Sequence, residues 1–158
     1  MKTVLHIIIS VLVLAVCNGL IWQKEKVLRD GKVMLLRLAP RDPRSLMQGD
    51  YMVLNYEAAD RLQGLTTARR GAAVMQVDAR GVATFVRVHG DEPLGPGEAL
   101  LQFRSGKDIR FGAESFFFQE GTAAVYDPAQ YGELRVAADG ASVLVGLRNE
   151  HLTPLGRR

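Results

Sequence analysis

Gly49-Asp50-Tyr51-Met52-Val53-Leu54-Asn55-Tyr56 is the stretch on which the fold of this 158-residue chain depends. A Gly-Asp step after Pro43-Arg44-Ser45 is typical of a turn, and the aromatic and β-branched residues that follow predict a strand. Alternate side chains of a strand share a face, which gives two interleaved sets: Tyr51, Val53 and Asn55, and opposite them Met52, Leu54 and Tyr56. Because both sets are largely apolar, the sequence predicts an interior strand that is buried on both sides.

This octapeptide resembles the signature of the GDYXXLXY family, whose five named positions are filled here by Gly49, Asp50, Tyr51, Leu54 and Tyr56. Two further elements are similar: a lead-in at residues 40–44, which contains Asp42 and Arg44, and an element at residues 117–121, which contains Glu120 and Gly121 and is one residue short of the family pattern. The resemblance implies a bacterial inner-membrane protein with an extracytoplasmic domain of unestablished activity. It also implies that the protein acts together with a polytopic inner-membrane protein.

An uncharged apolar run at residues 4–22 predicts a transmembrane anchor over residues 1–23. At about 1.5 Å per residue the run matches a hydrocarbon layer of roughly 30 Å. It is longer than the apolar part of a cleavable signal peptide, and no Ala-x-Ala site follows it. Lipidation at Cys17 is the third reading, but bulky Val16 stands where a lipobox needs a small residue. We therefore expect an uncleaved anchor.

The charges that flank the anchor conflict with the orientation that the resemblance implies. Lys2 precedes the run, and four basic residues follow it closely: Lys24, Lys26, Arg29 and Lys32. The positive-inside count alone would place the domain in the cytoplasm, although long domains translocate largely regardless of local charge. We follow the resemblance and expect a single-pass protein with its domain outside the cytoplasm.

Residues 24–158 are enough for one domain with one hydrophobic core. Strand patterns predominate, and two hairpins are predicted, one across residues 72–89 and one around the Asp139-Gly140 turn. Short helical segments are expected at residues 57–62 and 122–132. The predicted fold class is therefore a mostly β, β-rich α+β domain behind a transmembrane helix.

Composition excludes several function classes. After Trp22 there are 19 basic and 17 acidic residues, too small an excess for nucleic-acid binding by charge. His89 and His151 have no second His or Cys at ligand spacing, and His6 lies in the anchor, so we expect no metal and no cofactor. Two carboxylates such as Asp50 and Glu120 would suit glycosidase chemistry, but a chain with 17 acids offers many such pairs.

The strongest enzyme alternative is a domain with a signal-peptidase-like fold. Aligning that family's serine box on Gly49-Asp50 places Arg41 where the nucleophile belongs, and the strand that would supply a lysine base offers Arg87, which stays protonated. The remaining enzyme hypothesis is a polar cleft that joins Asp50, Arg87 and Glu120. We expect no catalytic residue.

The arginines have two further readings. Arg44, Arg87 and Arg135 would pair with Asp42, Asp50 or Glu120, either as a structural ion-pair network or as the floor of an anion pocket. An interaction module should instead show an exposed aromatic patch, for which residues 116–118 are the candidate. The function predicted from the sequence is thus a membrane-anchored interaction or accessory module.

Overall fold

The computed structural model describes residues 2–39 and 51–156. Two α-helices, nine strands and a 3₁₀ turn are present in this part of the chain: α1 (Lys2–Asp30), β1 (Lys32–Arg37), β2 (Tyr51–Val53), α2 (Glu57–Leu62), β3 (Arg70–Val77), β4 (Val82–Val88), β5 (Glu98–Ser105), β6 (Ile109–Arg110), β7 (Ser115–Phe117), the 3₁₀ turn (Ala123–Tyr126), β8 (Tyr131–Val136) and β9 (Ser142–Arg148). The β-rich single domain behind a long apolar helix is therefore confirmed.

Seven of the strands form one sheet in the order β6-β5-β3-β4-β1-β8-β9. The pair β1 and β4 is parallel, and all the others are antiparallel. The two ends of the sheet curl towards each other, since Gln102 in β5 donates its backbone N–H to the Gly140 carbonyl and the Ser142 hydroxyl in β9 donates to the Phe111 carbonyl. Both predicted hairpins are present as β3–β4 and β8–β9.

The hydrophobic core fills the inside of the curled sheet. Its largest fully buried members come from five strands of the sheet and from the chain around β2 and α2: Leu36, Met52, Leu54, Tyr56, Leu62, Met75, Leu101, Leu134 and Leu147. Burial of this many large apolar side chains is the main source of stability for a domain of this size. The signature octapeptide therefore supplies three core residues, Met52, Leu54 and Tyr56, all on the same side of the chain.

The opposite face of β2 is not buried, so the prediction of an interior strand is wrong. Tyr51 is half-buried, Val53 is exposed, and β2 pairs with β7 in a separate two-stranded ribbon. The apolar residues on both faces suggested two buried sides, but only one side of the ribbon packs against the sheet. The prediction that alternate side chains of β2 lie on opposite faces is confirmed. The prediction that both faces are buried is wrong, because only one is.

The region after β7 also differs from the prediction. The helix expected over residues 122–132 is only a 3₁₀ turn, because Pro128 follows closely and β8 begins at Tyr131. Thr122 does not cap the turn with its side chain; its hydroxyl donates to the Gln119 carbonyl instead. Residues 57–62 form the short helix α2 as predicted.

Helix α1 joins the sheet without a linker. It continues eight residues beyond the uncharged run to Asp30, and β1 begins at Lys32. Val27 is buried against the domain, and Arg135 Nη1 donates to the Gly31 carbonyl at 3.0 Å. The helical stretch His6–Asp30 is long and apolar enough to cross a membrane, and none of its most apolar window is buried in the domain. This helix suits either an anchor or a signal sequence.

Candidate functional site

The buried face of the signature strand has a structural role. The Tyr56 hydroxyl donates a 2.6 Å hydrogen bond to the Ala113 carbonyl inside the core. Gly132 lies against the Tyr56 ring, where a Cβ atom would come within 2.9 Å of Cε1. The backbone N–H of Leu54 donates to the Glu114 carbonyl at 2.7 Å, which connects β2 to the chain before β7. Leu54 and Tyr56 therefore hold the ribbon onto the sheet.

The outward face of the ribbon carries a small apolar patch, which we call the ribbon patch and define as Tyr51, Val53 and Phe117. Tyr51 and Phe117 are directly opposite across the β2–β7 ladder, and their ring centroids lie 5.6 Å apart. Phe117 is 73% exposed and Val53 is 49% exposed. The outward face of the ribbon therefore leaves one aromatic ring and one β-branched side chain open to solvent.

The two phenylalanines that flank Phe117 point the other way. Phe116 and Phe118 both pack against Tyr126, with centroid distances of 5.0 and 5.4 Å. They are partly buried against the core and hold the 3₁₀ turn in place. Of the aromatic run that was predicted as an exposed patch, only Phe117 faces solvent.

Arg87 is paired with two carboxylates, those of Glu92 and Glu98, rather than with the predicted Asp42, Asp50 or Glu120. Its guanidinium donates through Nη1 to Glu98 Oε1 and lies 3.3 Å from Glu92 Oε2, and Nη2 donates to the Pro93 carbonyl at 3.4 Å. The hydrogen bond to Glu98 raises the pKa of Arg87 above its ordinary value. An arginine held in this way cannot act as the general base that a signal-peptidase-like mechanism needs.

Glu98 is the central acceptor of the Arg87 network, which consists of Arg87, Glu92, Pro93, Gly95 and Glu98. Its side chain is 12% exposed and accepts hydrogen bonds from Arg87 and from the backbone N–H of Gly95. The Arg87 hydrogen bond, followed by that of Gly95, lowers the pKa of the Glu98 carboxyl. The Arg87 network therefore fixes the loop between β4 and β5.

The structure does not bring Arg87 to Glu120. Glu120 is exposed in the turn after β7 and makes no ion pair within residues 51–156, and Gly121 beside it has a φ of +79° that favours glycine. Arg135 likewise contacts the Gly31 carbonyl rather than an acid. The remaining predicted site residues, Asp42, Arg44, Gly49 and Asp50, lie outside the described residues, so the cleft around Asp50 stays a prediction.

On the outer face of the sheet Arg148 forms an ion pair with a buried carboxylate that was not predicted from the sequence. Glu133 is 2% exposed, and its Oε2 accepts a 2.9 Å hydrogen bond from Arg148 Nε. Arg148 also donates to the Leu152 carbonyl at 2.7 Å, which folds the C-terminal segment over this face. The alternation of side chains along β8 indicates only that Glu133 and Leu134 lie on opposite faces of the sheet. No local pattern in the sequence indicates that the segment after β9 covers the face on which Glu133 lies.

The other feature missed from the sequence is a basic cleft. In the strand register Arg70 lies directly opposite Arg104, and Arg104 lies directly opposite Arg110. These three residues lie side by side across β3, β5 and β6, and we call them the arginine row. The row, Lys24 and His89 line a cleft of about 940 Å³ that also contacts the β8–β9 turn. Because the residues come from four distant parts of the chain, only the strand register brings them together.

Metal chemistry has no support in the described part of the chain. No group of three or more His, Cys, Asp or Glu side chains within residues 2–39 and 51–156 is arranged to hold an ion. Ser142, which is the buried serine among the described residues, uses its hydroxyl to donate to the Phe111 carbonyl. Within residues 2–39 and 51–156 the geometry thus shows an exposed apolar patch and a charged cleft.

Comparison with known proteins gives one match. The family model described as GDYXXLXY protein matches residues 13–147, which include more than half of α1 and all of the sheet except the last residue of β9. Neither a curated protein nor a solved structure matches the chain.

Proposed function

The chain belongs to the GDYXXLXY protein family, and we propose that it works as a membrane-anchored interaction module that binds another membrane protein beside it. The family has no established activity, so the proposal rests on this chain's own geometry. Two of its features support the proposal: the rigid junction between the apolar helix and the sheet, and the exposed ribbon patch.

The observation that carries the proposal is the junction. Only Gly31 separates α1 from β1, and the end of the helix is fixed by burial of Val27 and by the hydrogen bond between Arg135 and the Gly31 carbonyl. A flexible linker would let the domain search a large volume, whereas this junction holds it close to the end of the apolar run. A domain held in this way works at the bilayer surface.

The ribbon patch supplies the contact surface in this proposal. Aromatic residues contribute strongly to protein interfaces because they bury a large area at a low cost in conformational entropy. Phe117 is open to solvent, while its neighbours Phe116 and Phe118 are partly buried against Tyr126. A partner must reach the same bilayer surface, which favours a protein that is itself embedded in the membrane.

We place the domain on the extracytoplasmic side, as the family resemblance implies. The four basic residues after the anchor favour the opposite side, but a domain of this length can translocate despite them. A reporter that fluoresces only in the cytoplasm, fused after Arg158, should stay dark. A bright fusion would show that the basic residues set the orientation.

The first experiment tests the anchor. Full-length protein should remain in the membrane pellet after a carbonate wash, because residues 4–22 are long and apolar enough to span. Recovery of a soluble chain that begins near residue 23 would mean that the helix is a cleaved signal sequence and would contradict the anchored module.

The second experiment tests the contact surface. Full-length protein carrying Phe117→Ser should lose a co-purifying membrane protein that the wild type retains. Leu65→Ser is the matched control, since Leu65 is also an exposed apolar residue but lies after α2 and outside the ribbon patch. Equal retention by wild type and both variants would exclude the ribbon patch as the contact surface.

A further inference from the structure

We propose that the basic cleft binds the phosphate group of an anionic phospholipid. This inference rests on the anchoring part of the proposed function and is independent of any protein partner. Its starting point is the arginine row, Arg70, Arg104 and Arg110, in which each residue is directly opposite the next across the antiparallel ladder.

The arginine row is unfavourable for the sheet by itself. Directly opposite residues have Cβ atoms about 4.5 to 5.5 Å apart, and like charges at such positions destabilise a sheet. All three side chains are exposed, and none makes an ion pair with any residue in the described part of the chain. Arg87 and Arg148, by contrast, are paired with Glu98 and Glu133. The row is thus a concentration of positive charge that an anion would neutralise.

The two acids that line the cleft, Glu114 and Asp139, form no ion pair with the arginine row. Glu114 accepts hydrogen bonds from the backbone N–H groups of Phe111 and Gly112, and Asp139 accepts one from Ala141 at 2.9 Å. Both carboxylates therefore serve to fix turns. Guanidinium groups arranged in a row favour an oxyanion with several acceptor oxygens, because each presents a planar fork of donors that matches phosphate geometry.

The position of Lys24 indicates where that phosphate comes from. Lys24 lines the same cleft and lies two residues after Trp22, at the end of the apolar run. At 1.5 Å per residue it is about 3 Å beyond Trp22, and tryptophan is a residue that favours the headgroup level of a bilayer. One wall of the cleft is therefore at the depth of lipid phosphates, which favours a phospholipid over a free anion.

The test uses full-length protein in detergent and native mass spectrometry with two short-chain lipids, phosphatidylglycerol and phosphatidylcholine. The wild type should retain phosphatidylglycerol in preference to phosphatidylcholine, and added inorganic phosphate should compete with the bound lipid. Equal retention of the two lipids by the wild type would overturn the proposal. Retention of inorganic phosphate without phosphatidylglycerol would overturn the lipid as the source.

A matched pair of double variants locates the site. Arg104→Gln with Arg110→Gln should weaken phosphatidylglycerol binding about fivefold for each arginine removed. Arg61→Gln with Arg80→Gln makes the same charge change at exposed positions outside the cleft and should bind like the wild type. Equal binding by both double variants would exclude the basic cleft as the site.

Two further readouts keep a loss of binding interpretable. The cleft variant should unfold at the same temperature as the wild type or at a higher one, because it removes like-charge pairs. A lower unfolding temperature together with lost binding would assign the arginines a structural role and would contradict the proposal. The same spectra report the mass of the chain, so cleavage of the anchor, which would refute the anchored module, is distinguished from loss of the lipid.

Discussion

Leu54→Ala should destabilise the domain strongly, while the neighbouring change Val53→Ala should not. The two residues are consecutive in the signature stretch, and their side chains point to opposite faces. Leu54 is 0% exposed and packs in the core, whereas Val53 is 49% exposed on the ribbon patch. The pair therefore tests directly whether one face of this segment is buried or both are.

The magnitudes follow from the atoms removed. Leu54→Ala deletes three buried carbons, about 2.4 kcal/mol at ~0.8 kcal/mol each, and the remaining cavity raises the cost to about 3 to 4 kcal/mol. Val53→Ala deletes two carbons that are about half exposed, which costs about 0.8 kcal/mol on the same scale. For a domain of this size the first change should lower the unfolding temperature by roughly 10 to 15 °C and the second by a few degrees.

The assay is thermal unfolding of full-length protein in lipid nanodiscs, followed by the near-UV circular dichroism of tyrosine. The four tyrosines all lie in the domain, whereas the one tryptophan, Trp22, is in α1 and would report on the anchor. Similar losses of stability for the two variants would mean that both faces are buried, as in an interior strand. That result would refute the one-sided ribbon and, with it, the ribbon patch.

Two more predictions concern the interior and the Arg87 network. Gly132→Ala should lower the free energy of unfolding by about 1 to 3 kcal/mol, because the new Cβ would come within 2.9 Å of the Tyr56 ring. The control is Gly106→Ala, whose Cβ would have nothing within 4 Å; chemical denaturation should show an unchanged or slightly higher free energy of unfolding. Equal losses for the two variants would contradict the close packing of Gly132 on Tyr56. Because hydrogen bonds lower the pKa of Glu98 in the folded state, its contribution to stability should be fully present above the unfolded pKa of about 4.3 and should be lost as the pH falls through the lower folded value. Glu98→Gln should therefore lose less unfolding free energy than the wild type between pH 5 and pH 3, and an identical decline in both would show that Glu98 does not contribute.

The sequence contained enough information for most of the fold. Alternating apolar residues and the Asp139-Gly140 turn predicted the two hairpins, because these signals act over a few residues of chain. Gly140 has a φ of +85°, the conformation for which glycine is suited in such a turn. The apolar run predicted α1, although the helix extends to Asp30 because Val27 and Arg135 give its last turns a packing partner.

Features that depend on distant parts of the chain were not predictable in this way. Whether the outward face of β2 is covered depends on its partner strand β7. The paired residues Val53 and Ser115 are 62 positions apart in the sequence. The arginine row exists only because of the register between β3, β5 and β6. Burial of Glu133 likewise requires Arg148 and the segment after β9. A single sequence carries no local signal for any of these juxtapositions.

In-membrane photo-crosslinking from Phe117 tests the central claim most directly. A photoreactive phenylalanine analogue at position 117 should crosslink full-length protein, in native membranes, to a protein that has transmembrane segments. The same analogue at Leu65, which is also exposed but lies outside the ribbon patch, should give no such product. Crosslinks from Leu65 but not from Phe117, or none from either position, would contradict the account of this protein as a module that binds a membrane partner through the ribbon patch.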